Sequence, residues 1–168
     1  MERYLLISSG GKFMKVAIYP GSFDPITNGH LDILKRSLEV FDKVIVLIAV
    51  NPKKHYYFST EERKQMILES VSELSLENVE VDVTDGLTVK YAKEHNAKHL
   101  IRGLRAVTDF EYEFQIASAN EFADKDIDMI FFMARNETTF ISSSTIMQLH
   151  QNGVDVSKLV PNAVYKRL

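Results

Sequence analysis

The sequence predicts a doubly wound α/β domain built on a five-stranded parallel sheet. From residue 15 onward, short apolar runs alternate with longer segments in which apolar residues recur every three or four positions. The short runs lack polar alternation, as expected of strands that helices cover on both faces. A chain of 168 residues, 45% hydrophobic and 26% charged, is long enough to bury the core of one such domain.

The elements follow one another in a regular order, and right-handed crossovers join the parallel strands. Strands are expected at residues 15–19, 43–50, 79–83, 99–102 and 128–133, the fourth being closed by Gly103. Helices are expected at residues 28–41, 59–74, 87–95, 108–123 and 142–152, with a last turn after Pro161. Ser59 with Glu62, and Thr108 with Glu111, have the three-residue spacing of a capping box.

Composition excludes several classes of protein. With 20 Lys+Arg against 23 Asp+Glu the net charge is -3, which disfavours a charge-based grip on long nucleic acid. The absence of cysteine excludes disulfides, thiolate-bound zinc, iron–sulfur clusters and a cysteine nucleophile. The longest apolar run, residues 44–50, is too short to span a membrane, so we expect a soluble chain. Residues 1–13 are interpreted as an N-terminal extension or expression remnant, outside a domain of residues 14–168.

Donors suited to phosphate oxygens follow the predicted strands, where doubly wound sheets bind their ligands. They are Lys54, Arg102, Arg105, His30, Ser22, Ser142, Ser143 and Ser144. Each alone is compatible with a solvated surface group, and the serine triplet with a helix cap. Their joint placement after successive strands predicts a polyphosphate site. No carboxylate cluster indicates a metal cage, so Mg²⁺ is expected to be held mainly by phosphates and water.

The first strand leads into a helix that begins at Thr27-Asn28-Gly29-His30, and the chain has neither a P-loop nor a GxGxxG turn. Gly29 allows the backbone to approach a ligand, and the helix N-terminus favours an anion. His30 can then donate to a phosphate oxygen. The alternative is a partly buried helix histidine bonded to the preceding loop, and the protonation state of His30 stays open at this point.

Three motifs carry a resemblance to a known family. Tyr19-Pro20-Gly21-Ser22-Phe23-Asp24-Pro25-Ile26-Thr27-Asn28-Gly29-His30 resembles the (T/H)xGH segment of the nucleotidyltransferase superfamily, and Ile141-Ser142-Ser143-Ser144-Thr145 resembles its ISSS-type motif. Ile101-Arg102-Gly103-Leu104-Arg105-Ala106, followed by Asp109-Phe110-Glu111-Tyr112-Glu113, narrows the resemblance to bacterial phosphopantetheine adenylyltransferases. The similarity runs from about Met14 to the C-terminus.

The resemblance implies a Rossmann-like sheet of strand order 3-2-1-4-5 and adenylyl transfer from ATP to 4′-phosphopantetheine. The products would be 3′-dephospho-coenzyme A and pyrophosphate. It also implies a cytoplasmic homohexamer, feedback by coenzyme A, and neither nucleic-acid nor membrane partners. Direct in-line attack of one phosphate on another needs charge neutralisation and alignment but no covalent enzyme intermediate.

The resemblance also assigns roles to individual residues. Catalysis is expected from His30, acting at the α-phosphate, and from Lys54, which orients the attacking phosphate. ATP contacts are expected from Ser22, Phe23, His30, Gly103, Leu104, Arg105, Glu113, Thr138, Thr139, Phe140, Ile141, Ser142, Ser143 and Ser144. Contacts with 4′-phosphopantetheine are expected from Ser22, Lys54, Thr88 and Arg102. Ser22 stands where many members have threonine, and Thr88 where they often have a bulkier apolar residue.

Two kinds of alternative stay open on this scaffold. A cytidylyltransferase or a nicotinamide-mononucleotide adenylyltransferase would use the same sheet, but residues 101–106 and 109–113 argue against both. A module that senses ATP or coenzyme A without turnover would have lost its catalytic donors, whereas His30, Lys54 and Arg102 are all present.

Overall fold

The computed structural model describes residues 14–105, 107–135 and 142–168. The predicted extension, residues 1–13, therefore lies outside the described residues. The predicted sheet is confirmed: five parallel strands lie in the order β3-β2-β1-β4-β5. The strands are β1 (Val16–Gly21), β2 (Lys43–Ala49), β3 (Val79–Thr84), β4 (His99–Leu104) and β5 (Asp128–Met133).

Helices join the strands and complete the chain. They are α1 (Asn28–Ser37), α2 (Thr60–Glu73), α3 (Thr88–Glu94), α4 (Val107–Ala123), α5 (Ser143–Gln151) and α6 (Asn162–Tyr165). Across the described ranges, none of these helices combines the length and the apolar character that crossing a bilayer requires.

The sheet has a buried apolar core on each face. Along β1, Ala17 and Tyr19 belong to one core, while Ile18 between them belongs to the other, as the two-residue period of a strand requires. The first core also receives buried residues of α1, α2, α5 and α6, and the second receives residues of α3. Burial on both faces explains why the strands lack polar alternation.

Several predicted boundaries were wrong. Helix α1 ends at Ser37, and Phe41 reaches the core from a turn in which its N–H donates to the Ser37 carbonyl. Strand β4 continues through Gly103 to Leu104, and a Cβ at Gly103 would require the Ile33 side chain of α1 to shift. The glycine thus permits close helix–strand packing and does not end the strand.

The predicted capping boxes had different outcomes. Ser59 caps α2: Glu62 N–H donates to the Ser59 hydroxyl at 3.3 Å, and Ser59 N–H donates to the Glu62 carboxylate at 2.8 Å. The box predicted at Thr108 was wrong, because α4 already begins at Val107 and Thr108 lies in its first turn.

Candidate active site

Four of the predicted donors, Ser22, His30, Arg102 and Arg105, lie where the carboxyl ends of β1 and β4 separate to form a crevice. These strands pair only through Ala17 with His99 and Ile18 with Leu100, although β1 and β4 continue for three and four residues beyond these pairs. Strand order reverses there, and parallel sheets bind ligands at that point. The side chain of Arg102 crosses the opening and donates to the Pro20 carbonyl at 3.4 Å.

His30 is fixed by a capping box that the sequence analysis did not predict. Its Nδ1 accepts the Thr27 N–H at 3.1 Å and lies 3.0 Å from the Thr27 hydroxyl. The His30 N–H donates to that hydroxyl in return, at 3.3 Å. Because Nδ1 accepts a main-chain N–H, the neutral ring carries its proton on Nε2. Among the described residues, Nε2 has no hydrogen-bond partner and stays available to a ligand.

The surroundings of His30 favour its neutral form. Burial, and then the positive charges of Arg105 and Arg102, lower the pKa of His30 from 6.5 to about 4. At neutral pH the imidazole is therefore uncharged and presents Nε2–H as a donor. The sequence also suggested a structural histidine bonded to the preceding loop. That interpretation accounts for Nδ1, which bonds to Thr27, but gives no role to Nε2.

Phe23 supports His30 from behind. Its ring is buried and meets the His30 ring edge-on at a centroid distance of 5.2 Å, with Tyr19 on its other side at 5.4 Å. Phe23 adopts a positive φ of 45°, an uncommon backbone conformation for a bulky residue. Its ring is part of the core, so the ATP contact expected of Phe23 falls to its main chain.

The ISSS-type motif lies directly against the first motif. The Ser143 hydroxyl donates to the Pro25 carbonyl at 2.8 Å. Ser142 caps α5 by accepting the Thr145 N–H at 3.1 Å, and its hydroxyl lies 2.8 Å from that of Ser144. The serine hydroxyls are therefore hydrogen-bonded within the protein. An anion at this motif would instead bind the main-chain N–H groups in the first turn of α5.

Two arginines of the crevice are paired with carboxylates of α4. Arg102 forms a bidentate pair with buried Glu113, at 2.7 Å from Nε and 2.5 Å from Nη2. Although burial lowers the pKa of Arg102, its hydrogen bonds to Glu113 and the Glu113 charge raise that pKa overall. The Nε of Arg105 donates to Asp109 at 3.0 Å. In both arginines, donors that a phosphate could use are already bound to carboxylate oxygens.

The remaining predicted residues occupy different positions. Lys54 is exposed, forms no ion pair within the described ranges, and has its Nζ 5.8 Å from the Tyr56 ring centroid. Leu104 is buried, so only its main chain can reach a nucleotide. Thr88 begins α3 at the carboxyl end of β3, and no hydrogen bond joins its side chain to the other described site residues. The predicted contacts Thr138, Thr139, Phe140 and Ile141 lie outside the described residues.

Sequence reasoning missed two buried charged residues at this site. Asp24 accepts the N–H groups of Tyr57 and Phe58 at 2.7 and 2.9 Å and so joins the β1–α1 loop to the β2–α2 loop. Arg63 donates to the Ser22 carbonyl at 2.7 Å. Asp24 lies inside the first motif, which could have drawn attention to it. The helical pattern around Arg63 gives no such signal.

Comparisons with known proteins show the family to which the chain is related. A family model described as cytidylyltransferase-like matches residues 18–149. A phosphopantetheine adenylyltransferase from Desulfosudis oleivorans is 48% identical over 155 residues, 92% of this chain and 91% of that relative. One from Clostridium novyi is 50% identical over 153 residues, 91% of this chain and 94% of that relative.

A solved structure shares the fold at low sequence identity. It is described as a nicotinate-nucleotide adenylyltransferase from Vibrio parahaemolyticus, and it superposes with a TM-score of 0.67 at 19% identity. The match covers 89% of this chain and 96% of that one. At this identity the similarity shows the fold alone.

Proposed function

Since the chain belongs to the phosphopantetheine adenylyltransferase family of nucleotidyltransferases, we propose that it transfers the adenylyl group of ATP to 4′-phosphopantetheine. The products are 3′-dephospho-coenzyme A and pyrophosphate, and residues 14–168 form the catalytic domain. The observation that carries the proposal is a fixed, uncharged histidine donor at the β1–β4 crevice, with Arg102 and Arg105 close enough to shift its pKa.

The reaction is a direct displacement. A phosphate oxygen of 4′-phosphopantetheine forms a bond to the α-phosphorus of ATP, and the bond from that phosphorus to the bridging oxygen of the β-phosphate breaks. Pyrophosphate leaves with the electron pair, so no covalent enzyme intermediate is needed. Two polyanions must approach in line, and the main tasks of the protein are alignment and neutralisation of charge.

His30 acts where charge develops. Its Nε2–H donates to a non-bridging oxygen of the α-phosphate and strengthens that bond as the five-coordinate transition state forms. A neutral imidazole with a low pKa does this without transferring its proton. A donor that acts mainly in the transition state contributes about 3–4 kcal/mol, or about 10²–10³ in rate.

The cations divide between the two reactants. Lys54 and Arg102, with the Ser22 hydroxyl, bind and orient the attacking phosphate. Arg105 and the N-terminus of α5 bind the phosphates that leave as pyrophosphate, where helix N–H groups favour an anion. In the free protein Arg102 and Arg105 are paired with Glu113 and Asp109, so binding of the substrates replaces or shares these pairs.

The residues of this site fit a Mg²⁺ ion that is coordinated mainly by ATP and only to a small extent by the protein. Among the described residues, no group of three or more histidine, aspartate or glutamate side chains is arranged to hold a metal ion. Glu113 and Asp109 are bound to arginines, and Asp24 to main-chain N–H groups. When bound, Mg²⁺ supplies charge neutralisation on the phosphates, which are its main ligands together with water.

The proposal extends to assembly and location. Helix α4 exposes large apolar side chains, with Phe110, Tyr112 and Phe114 at least half exposed and Phe122 at 93%. Such a surface suits contacts between copies of the chain, and the resemblance to the family makes the proposed assembly a homohexamer. The resemblance to the family adds a cytoplasmic location and feedback by coenzyme A.

The test is a pyrophosphate-release assay with ATP and a panel of acceptors. We expect release with 4′-phosphopantetheine and none with pantetheine, which lacks only the attacking phosphate. Nicotinamide mononucleotide and nicotinate mononucleotide test the related adenylyl transfers, and CTP in place of ATP tests cytidylyl transfer. Release with either mononucleotide, a preference for CTP, or binding of ATP without release with 4′-phosphopantetheine would contradict the proposal.

A further inference from the structure

Arg63 of α2 is a buried cation without a carboxylate partner. It is 1% exposed, and its guanidinium donates to the carbonyls of Ser22 and Ser59 and to the hydroxyl of Thr60, at 2.7, 3.4 and 3.0 Å. Within the described ranges it forms no ion pair. Burying a cation against neutral oxygens alone is costly, and an apolar side chain would fill the same space at less expense.

The guanidinium of Arg63 lies over the ring of Tyr56, a residue of the loop that carries Lys54. The Arg63 Cζ is 4.1 Å from the Tyr56 ring centroid. The Tyr56 hydroxyl accepts the Asn51 N–H at 2.8 Å, and the Asn51 carbonyl accepts the Lys54 N–H at 2.9 Å. The turn that presents Lys54 is therefore closed on Tyr56 and rests, through its ring, on Arg63.

Arg63 thus connects the two loops to which the acceptor phosphate is assigned. One hydrogen bond fixes the main chain at Ser22, in the β1–α1 loop, and the stacked ring fixes the β2–α2 loop around Lys54. A planar fork with donors on two edges and a flat face satisfies these contacts simultaneously, whereas a lysine ammonium offers neither the fork nor the face.

We propose that Arg63 is a positioning residue for the acceptor phosphate: it sets Ser22 relative to Lys54 and places uncompensated positive charge behind both. The inference rests on the proposed function, because that function assigns Ser22 and Lys54 to 4′-phosphopantetheine. Asp24 reinforces the same junction by accepting the N–H groups that follow Tyr56, yet no ion pair joins it to Arg63. Within the described ranges no carboxylate forms an ion pair with the guanidinium, so its charge would attract an anion bound between Ser22 and Lys54.

The experiment compares Arg63→Met and Arg63→Lys with the wild type in steady-state kinetics for each substrate. Arg63→Met fills the space but removes the charge, the hydrogen bonds and the stacking. We expect its KM for 4′-phosphopantetheine to rise ~10-fold or more, while the KM for ATP stays within about twofold. Arg63→Lys keeps the charge but loses the fork, and an intermediate rise is expected.

A second pair of variants tests the same link without altering the buried charge. Tyr56→Leu removes the ring beneath Arg63, and Tyr56→Phe removes only the hydroxyl that closes the turn. We expect both to raise the acceptor KM, Tyr56→Leu more strongly, with ATP again little affected. This pair decides the question if Arg63→Met does not fold.

The control is Val71→Ala, which shortens a core-packed side chain of the same helix more than two turns beyond Arg63. It should lower the melting temperature and leave both KM values unchanged. Equal changes in the two KM values in the Arg63 and Tyr56 variants, or a lower melting temperature without a kinetic change, would overturn the positioning role. A wild type inactive with 4′-phosphopantetheine would instead overturn the proposed function.

Discussion

The two sides of the crevice hold their functional groups in different ways. On the β1–α1 side, His30 is fixed by hydrogen bonds to Thr27, and Ser143 holds the Pro25 carbonyl, so main-chain groups define the geometry. On the β4–α4 side, Arg102 and Arg105 are held by carboxylate side chains of α4.

The difference follows from the tasks proposed for the two sides. A neutral donor that acts in the transition state must already point in the right direction, and the main chain supplies that rigidity. On this side a carboxylate balances each arginine when the substrate is absent, and it uses donors of the guanidinium that a phosphate would also use. We therefore infer that the first side is preorganised and that the second, called the exchangeable side below, exchanges its carboxylate partners for the substrate.

The largest effect on turnover is expected from replacing His30 on the preorganised side. His30→Ala should lower turnover by ~10²–10³-fold and leave ATP affinity largely intact, because the lost bond matters mainly in the transition state. His30→Gln, whose amide N–H can lie near the position of Nε2–H, should retain more activity than His30→Ala. Turnover with ATP and 4′-phosphopantetheine and ATP binding by calorimetry measure this. Near-normal turnover of the alanine variant would show that the role is wrongly assigned.

The lowered pKa of His30 gives a second test of the β1–α1 side. In an NMR pH titration of the free protein, the imidazole signal missing from His30→Gln should titrate near pH 4, with the neutral ring protonated on Nε2. Because the folded-state pKa lies below 6.5, the unfolded chain binds the extra proton between pH 6.5 and 4. His30 should therefore lower the free energy of unfolding as pH falls through that range, and His30→Gln should lack this contribution. A midpoint near 6.5 would contradict the environment described.

Lys54 of the β2–α2 loop and Arg102 of the exchangeable side should both respond through acceptor affinity. Lys54→Ala and Arg102→Ala should each raise the KM for 4′-phosphopantetheine ~10-fold or more, with smaller changes for ATP, because charged hydrogen bonds to one substrate are lost. Glu113→Gln should lower the KM for 4′-phosphopantetheine, because the phosphate no longer competes with a carboxylate for Arg102. Equal losses on both substrates, or an acceptor KM that rises in Glu113→Gln, would remove the distinction between the two sides.

The smallest effect on activity is expected from removing residues 1–13, which belong to neither side of the crevice. A chain that begins at Met14 should have the same turnover and KM values as the full chain, because the proposed site is built entirely from later residues. Comparison of the two chains at equal concentration under identical assay conditions measures this. A loss of activity would assign residues 1–13 a role in the catalytic domain.

The fold could be predicted from local patterns, and the site only in part. Buried strands and helix periods are encoded within short windows, which is why the sheet was predicted correctly. Gly103 shows where local patterns fail. In the sequence this glycine suggests the end of a strand, but in the structure it lies within β4 and leaves room for the Ile33 side chain of α1. Arg63 shows it more strongly, since a charged residue on a helical pattern is usually solvated, and only packing against Tyr56 and Ser22 buries it.

The sequence by itself determined which donors the protein has and that they follow the carboxyl ends of strands. The tertiary structure decided their state: His30 neutral with its proton on Nε2, Arg102 and Arg105 paired with α4, and Arg63 buried between two loops. The physical reason is that a residue's type fixes its chemical groups, whereas its pKa, tautomer and partners depend on burial and on charges that distant parts of the chain supply.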